Sequence, residues 1–516
     1  MSFSLQRTVA AATLGALTLT ASACTSDAAE GAADSELSVA VSALAASVDP
    51  VAELSASYLR AVGAAEGLTK IQPDGTVVPE LATALTRDTQ TEWTVTLDPE
   101  RTFWSGEPVD AQAVADSLAR SVELNELAAA QLLDVTWEVV DESTLRLTTQ
   151  TPKPGLPYAL GHYQLVIHNA DAYGPEVGAA TADDVDLTGP YQITGFNTER
   201  DMSLNAHDEW WGGEPGFESV TVTAVSDAQA RAELALSGQA DVVADYPVDR
   251  MGELEDSEAE LISTSAANTV AVYLNPASQS APALADVQVR QALAWGVDRA
   301  EMVDLNAGGL VAPTGTWLSS SPALAEATDD GYAFDADKAG SLLDAAGWEL
   351  RDGVRTKDGE NLTLRLLTFG IEKTAGEVLQ AQWKKLGVVV EVRDVENTAV
   401  AEAIESGNWD MVTQAWTTLG DHAALIGGQI GPDGASNHAG LKVAAVPTLL
   451  ARANRGATEE TRTEALVELD RIITEEVPLV PLHPRVVASA ISGVDGFVAH
   501  PLQYETLVTG ALTPAG

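Results

Sequence analysis

The side chains best suited to chemistry in this chain are few and scattered. Among its 7 histidines, His422 and His438 carry ring nitrogens of a kind that suits borderline metals, although the seven show no metal-site spacing. A plain loop residue is the alternative reading for His422. Trp416 is followed five positions later by Asp421, so an aromatic face, a carboxylate and the imidazole of His422 stand close together in sequence. Trp104, Trp317 and Trp416 fall outside strand-core spacing and read as loop aromatics able to stack on a ligand, with packing inside the protein as the alternative. Catalytic groupings do not emerge. There is no G-x-S-x-G nucleophile elbow and no H-E-x-x-H zinc motif, and Gly296-Val297-Asp298-Arg299 is no phosphate loop. With 76 acidic residues, facing carboxylates of the glycosidase kind arise by chance and decide nothing.

The elements that must position these residues alternate between strand and helix, which indicates a mixed α/β protein. Residues 92–98 put Trp93, Val95 and Leu97 on one face of a half-buried strand, and residues 143–149 alternate in the same way. Val114, Leu118 and Val122 recur at helical spacing behind Asp110, a predicted N-cap. Asp286 opens another helix, and Asp298 with Glu301 resembles a capping box. A strand over 270–275 is expected to cross into a new lobe. Residues 362–367, 376–386 and 388–392 read as strand, helix and buried strand, one crossover unit. A helix follows over 458–475 and a short strand over 478–481.

The N-terminus sets the compartment. Arg7 precedes an apolar stretch from Val9 to Leu19, which ends in Ala21-Ser22-Ala23-Cys24. This reads as a secretory signal over 1–23, too short for a comfortable membrane span. Cys24 is the only cysteine, so it has no disulfide partner within the chain. The residues before it resemble a bacterial lipobox, with Ala21 where Leu is preferred, and imply lipidation of Cys24. Residues 24–36 are small and polar, a flexible tether. The expected location is outside the cell, anchored to the outer face of the cytoplasmic membrane. Charge adds a constraint: 28 basic against 76 acidic residues give a net charge of −48, a surface that repels nucleic acid and anionic membranes.

Several collinear segments then carry a family resemblance. Phe103-Trp104-Ser105-Gly106-Glu107-Pro108-Val109-Asp110-Ala111, Thr188-Gly189-Pro190-Tyr191, Trp211-Gly212, Asp286-Val287-Gln288-Val289-Arg290-Gln291-Ala292-Leu293-Ala294 with Asp298-Arg299, and Phe334-Asp335 through Leu343 to Gly347 occur in the family's order. From about Ser38 to Thr509 the chain resembles bacterial solute-binding protein family 5, the peptide and nickel receptors of ABC importers. The resemblance implies a periplasmic-binding-protein type II-like fold with two hinged lobes and an extra inserted subdomain, of the cluster C type. Lobe I would combine 37–55, 183–267 and 487–516, with 56–182 as its inserted subdomain, and lobe II would span 268–486. It also implies a monomer without cofactor, working with permease and ATPase subunits, that binds a solute and does not transform it.

Peptide receptors of this family often hold the peptide amine with a Trp-x-x-Asp carboxylate. Here Asp421 falls two positions late, a spacing closer to that of the nickel-chelate receptors. The resemblance thus implies a peptide-like solute first, a metal chelate as the alternative, and an acidic secreted hydrolase as the weakest reading. Tyr58 lies where the family's first crossover approaches the cleft. The expected ligand-binding residues are Trp416, Asp421, Tyr58, Trp104, Trp317 and His422.

Overall fold

The computed structural model describes residues 35–318, 324, 327, 331–417, 420–456, 458–502 and 506–516. The expected signal, Cys24 and most of the tether lie outside the described residues. No helix among the described residues is long and apolar enough to cross a membrane.

The fold is organised by one ten-stranded mixed sheet. In order across it run Val389–Asp394, Thr363–Thr368, Met411–Thr417, Glu260–Leu274, Leu479–Ile491, Val242–Val243, Glu36–Val41, Ser219–Ala224, Asp201–Ala206 and Tyr191–Asn197. The two central strands, of 15 and 13 residues, are the longest and lie antiparallel. Their two ends pack into different buried clusters. Residues 260–265 pair with 486–491, next to Val242–Val243, whereas residues 268–274 also pair with Met411–Thr417 on the other side. Between these halves the ladder slips register, at Ser265/Thr269 and again at Val270/Ala271.

Alternation along the strand explains the second half. Val270, Val272 and Leu274 enter one buried cluster with Leu293, Leu364 and Trp383, while Ala271 and Tyr273 enter another with Trp409, Ile426 and Leu469. Side chains of period two thus bury both faces of the sheet. The first half packs with Leu37, Val39, Leu59, Tyr191 and Val220 in a separate cluster. A third cluster, with Trp93, Leu118, Leu147 and Leu160, fills the space between the four-stranded sheet of residues 82–149 and the helix Ala111–Leu124.

Local expectations hold at the caps. Asp110 accepts from Ala113 N at 2.8 Å, Asp286 from Gln288 N at 2.9 Å and Asp298 from Glu301 N at 3.1 Å. The Glu301 carboxylate turns to Gln382 Nε2 instead of closing a capping box. The crossover unit is present as Thr363–Thr368, Lys373–Lys385 and Val389–Asp394, with parallel strands. Its last strand is an edge strand and not a buried one; only Val390 is buried within it. The strands expected over 270–275 and 478–481 are parts of the two long central strands.

Candidate functional site

The candidate site gathers around the register slip of the two central strands, beside the cluster that buries Val270 and Leu482. There the strand Met411–Thr417 brings Trp416 opposite Thr269, next to the register slip. Trp416 is therefore a strand residue and not a loop residue. It is half-buried, and its indole donates to Gln414 Oε1 at 3.2 Å. Asn268 Nδ2 reaches Thr417 Oγ1 at 3.4 Å. Behind them the Tyr273 hydroxyl donates to Gln429 Oε1 at 2.5 Å, and the His438 ring stands edge-on to Tyr273 at 5.8 Å. Burial pushes the His438 imidazole below its usual range, which favours the neutral ring.

Asp421 and His422 open the helix His422–Ile430. Asp421 Oδ1 accepts from Ala423 N at 3.1 Å, so this carboxylate is an N-cap. Its other side crosses to the facing body: an ideal Cβ on Gly155 would stand 2.1 Å from Asp421 Oδ2. The buried His422 ring meets Tyr158 edge-on at 6.5 Å. Tyr158 packs with Ile71, Ala267 and Leu502 beside the central strands.

On the facing side Tyr58 is half-buried in the helix Ser55–Ala61. The same helix carries Arg60, whose guanidinium bonds Glu80 at 2.9 Å, and Glu80 also accepts from Gly67 N at 2.7 Å. Glu66 lies alongside. Burial, and then the charge of Glu80, pushes its carboxyl up to about 8, while the Trp211 and Trp210 indoles donate to it at 3.0 and 3.3 Å. Arg101 stacks on Trp211 at 3.9 Å. Burial, with Arg60 adding, takes the His162 imidazole down to about 4. This buried polar seam is not visible in the sequence, because its members lie in five separate segments; only Trp211 stood out, as part of the Trp211-Gly212 match.

The remaining expected residues are placed elsewhere. Trp104 donates to Gly189 O at 2.9 Å and so stitches its turn to the first body. It borders an open depression of about 620 Å³ rimmed by Glu107, Asp183 and Asp184. Trp317 is 1% exposed and packs with Leu318, Ile426 and Leu469. Its ring fills a core, so packing replaces stacking at this position. Among the described residues no group of three His, Cys, Asp or Glu side chains could hold a metal ion.

Known proteins share this fold. The family model for bacterial extracellular solute-binding proteins, family 5, matches residues 76–426. A nickel-binding periplasmic protein of Escherichia coli (strain K12) is 24% identical over 374 residues, spanning 67% of this chain and 68% of its own. The oligopeptide-binding protein AppA of Bacillus subtilis (strain 168) is 26% identical over 234 residues, 43% of this chain and 42% of its own. The solved nickel ABC transporter structure from Bacillus halodurans superposes with a TM-score of 0.79 at 25% identity, covering 93% of this chain and 99% of that one. The Brucella suis NikA structure in complex with Fe(III)-EDTA gives 0.81 at 22% identity, covering 93% and 100%. The match to the family model extends over more than half of the chain, from the strands before Trp93 to the helix that Asp421 caps, and this protein is a member of the bacterial extracellular solute-binding proteins, family 5.

Proposed function

We propose that this protein is the extracytoplasmic receptor of an ABC importer, which traps a small peptide-like solute between two bodies and releases it unaltered to a permease. The observation that carries this reading is the pair of long central strands, continuous through two separately cored bodies and irregular where they pass between them. Such a connection permits bending, and a solute favours the closed arrangement only through contacts with both sides. Trp416 and Tyr58 are the aromatic surfaces offered from the two sides. Lipidation of Cys24 anchors the chain outside the membrane, and the working unit is a monomer that meets permease and ATPase subunits.

A metal-chelate solute is the second reading, favoured by the similarity to nickel-binding relatives. Native mass spectrometry of the purified protein separates the two. A ladder of peptide masses is expected. A single mass with a metal isotope pattern would replace peptide by chelate, and chemical conversion of any retained solute would end the receptor reading.

A further inference from the structure

The contact between Asp421 and Gly155 joins parts of the chain that are cored separately. Leu156, Ala159 and Leu160, just after Gly155, are buried with Trp93 and Leu118, whereas Ala423, Ile426 and Ile430, just after Asp421, are buried with Tyr273 and Leu469. The contact is also very close. An ideal Cβ on Gly155 would lie 2.1 Å from Oδ2, 2.3 Å from Cγ and 2.5 Å from Cβ of Asp421. Rotating the Asp421 side chain cannot relieve this, since its own Cβ is one of the three atoms. Carbon atoms in contact sit about 3.5–4.0 Å apart, so even one methyl group here forces the backbones to separate. Gly155 itself has φ −78° and ψ 5°, a conformation open to any L-residue. The glycine is therefore not needed for the local turn. What needs it is the facing body.

Two neighbours reinforce the contact. His422 meets Tyr158 edge-on, one helical turn beyond Gly155. Burial lowers the Lys153 ammonium from its usual range, and the charge of Asp421 acts against that shift. Lys153 Nζ is held by Gln131 O at 2.6 Å, which fixes a cation near the carboxylate without a direct ion pair.

Resting on the two-body receptor reading, we infer that Asp421 is a closure residue and Gly155 its seat: together they set how closely the two bodies approach, and hence the depth of the solute chamber. Asp421 acts here by position and need not touch the solute.

Spin labels on Leu133→Cys and Leu350→Cys, both exposed and one in each body, report the approach in the full chain carrying Cys24→Ser. Gly155→Ala is expected to lengthen the inter-label distance by about 2 Å, because packed interfaces do not deform smoothly. Gly155→Leu should lengthen it further. Adding Asp421→Gly to Gly155→Ala should restore the parent distance, since glycine is itself an accepted helix N-cap. An unchanged distance in Gly155→Ala would overturn the inference, as would a lengthening that persists with Asp421→Gly, which would mark local damage. Neither result bears on solute capture, which the mass measurement judges separately.

Discussion

Two buried guanidinium sites, one on each side of the molecule, solve the same problem in different ways. Arg120 reaches out of the helix Ala111–Leu124 to hold both oxygens of Asp49 at 2.9 and 2.8 Å, with the Tyr173 ring 4.6 Å from its guanidinium carbon. Asp49 is 1% exposed; its burial works to raise the carboxyl, but Arg120 and the amides of Gly178 and Val51 outweigh this and hold it low. Among the described residues Arg299 has no carboxylate partner. It donates to the carbonyls of Pro481, Tyr332, Ala294 and Val297, and burial lowers it only to about 10, so it stays charged at neutral pH. The first arrangement ties two distant segments by opposite charge; the second ties one body together by backbone acceptors. Proton uptake can dissolve the former and not the latter.

The sharpest way to break this contrast is Arg120→Met, which strands a buried carboxylate. A loss of about 3–5 kcal/mol in urea unfolding is expected at pH 7. Because the folded Asp49 carboxyl is held low, its contribution is complete above its unfolded value and fades as pH falls through the folded one. The gap between parent and variant should therefore shrink in acid. Arg299→Met leaves buried carbonyls without donors, and about 2–3 kcal/mol is expected. That loss should stay flat from pH 5 to pH 8; a loss that tracks pH would merge the two classes.

A smaller effect, on solute capture rather than on folding, comes from Trp416→Ala. Calorimetric titration with the solute identified by mass is expected to show at least a tenfold loss in affinity, about 1.4 kcal/mol, with an unchanged melting temperature. Unaltered affinity would remove Trp416 from the chamber. Glu66→Gln should change stability least near pH 4, by less than about 1 kcal/mol, since the carboxyl holds its proton there in the folded and the unfolded chain alike. Its folded value is raised, so the parent loses stability as pH climbs from about 4.5 toward 8. The variant should lose this slope, and thermal unfolding across that window checks it.

Much of this molecule was legible in the sequence, and the rest failed for identifiable reasons. Caps were visible because Asp110, Asp286 and Asp298 act on amides two or three residues away. The strand around Trp93 was visible because one face of it is core. The long strand Glu260–Leu274 was cut short, since Ser263, Thr264 and Ser265 carry no apolar alternation. Its partner was seen only over 478–481, because His483, Pro484 and Arg485 interrupt the apolar run. Pro481 and Pro484 sit opposite residues beside the register slips, where a missing N–H is tolerated. Trp317 and Trp104 show the limit for the site: an aromatic between regular elements looks alike whether it meets a ligand, a core or a carbonyl. Asp421 shows it more plainly, because its counterpart Gly155 is remote in sequence and is defined by having no side chain.

The two prolines have a mechanical consequence. Each deletes an amide donor from the middle of a wide sheet, along a line where the pairing is already offset. Stiffness is lowered along that line. A sheet so interrupted yields to bending more readily at that line than where its hydrogen bonds run unbroken.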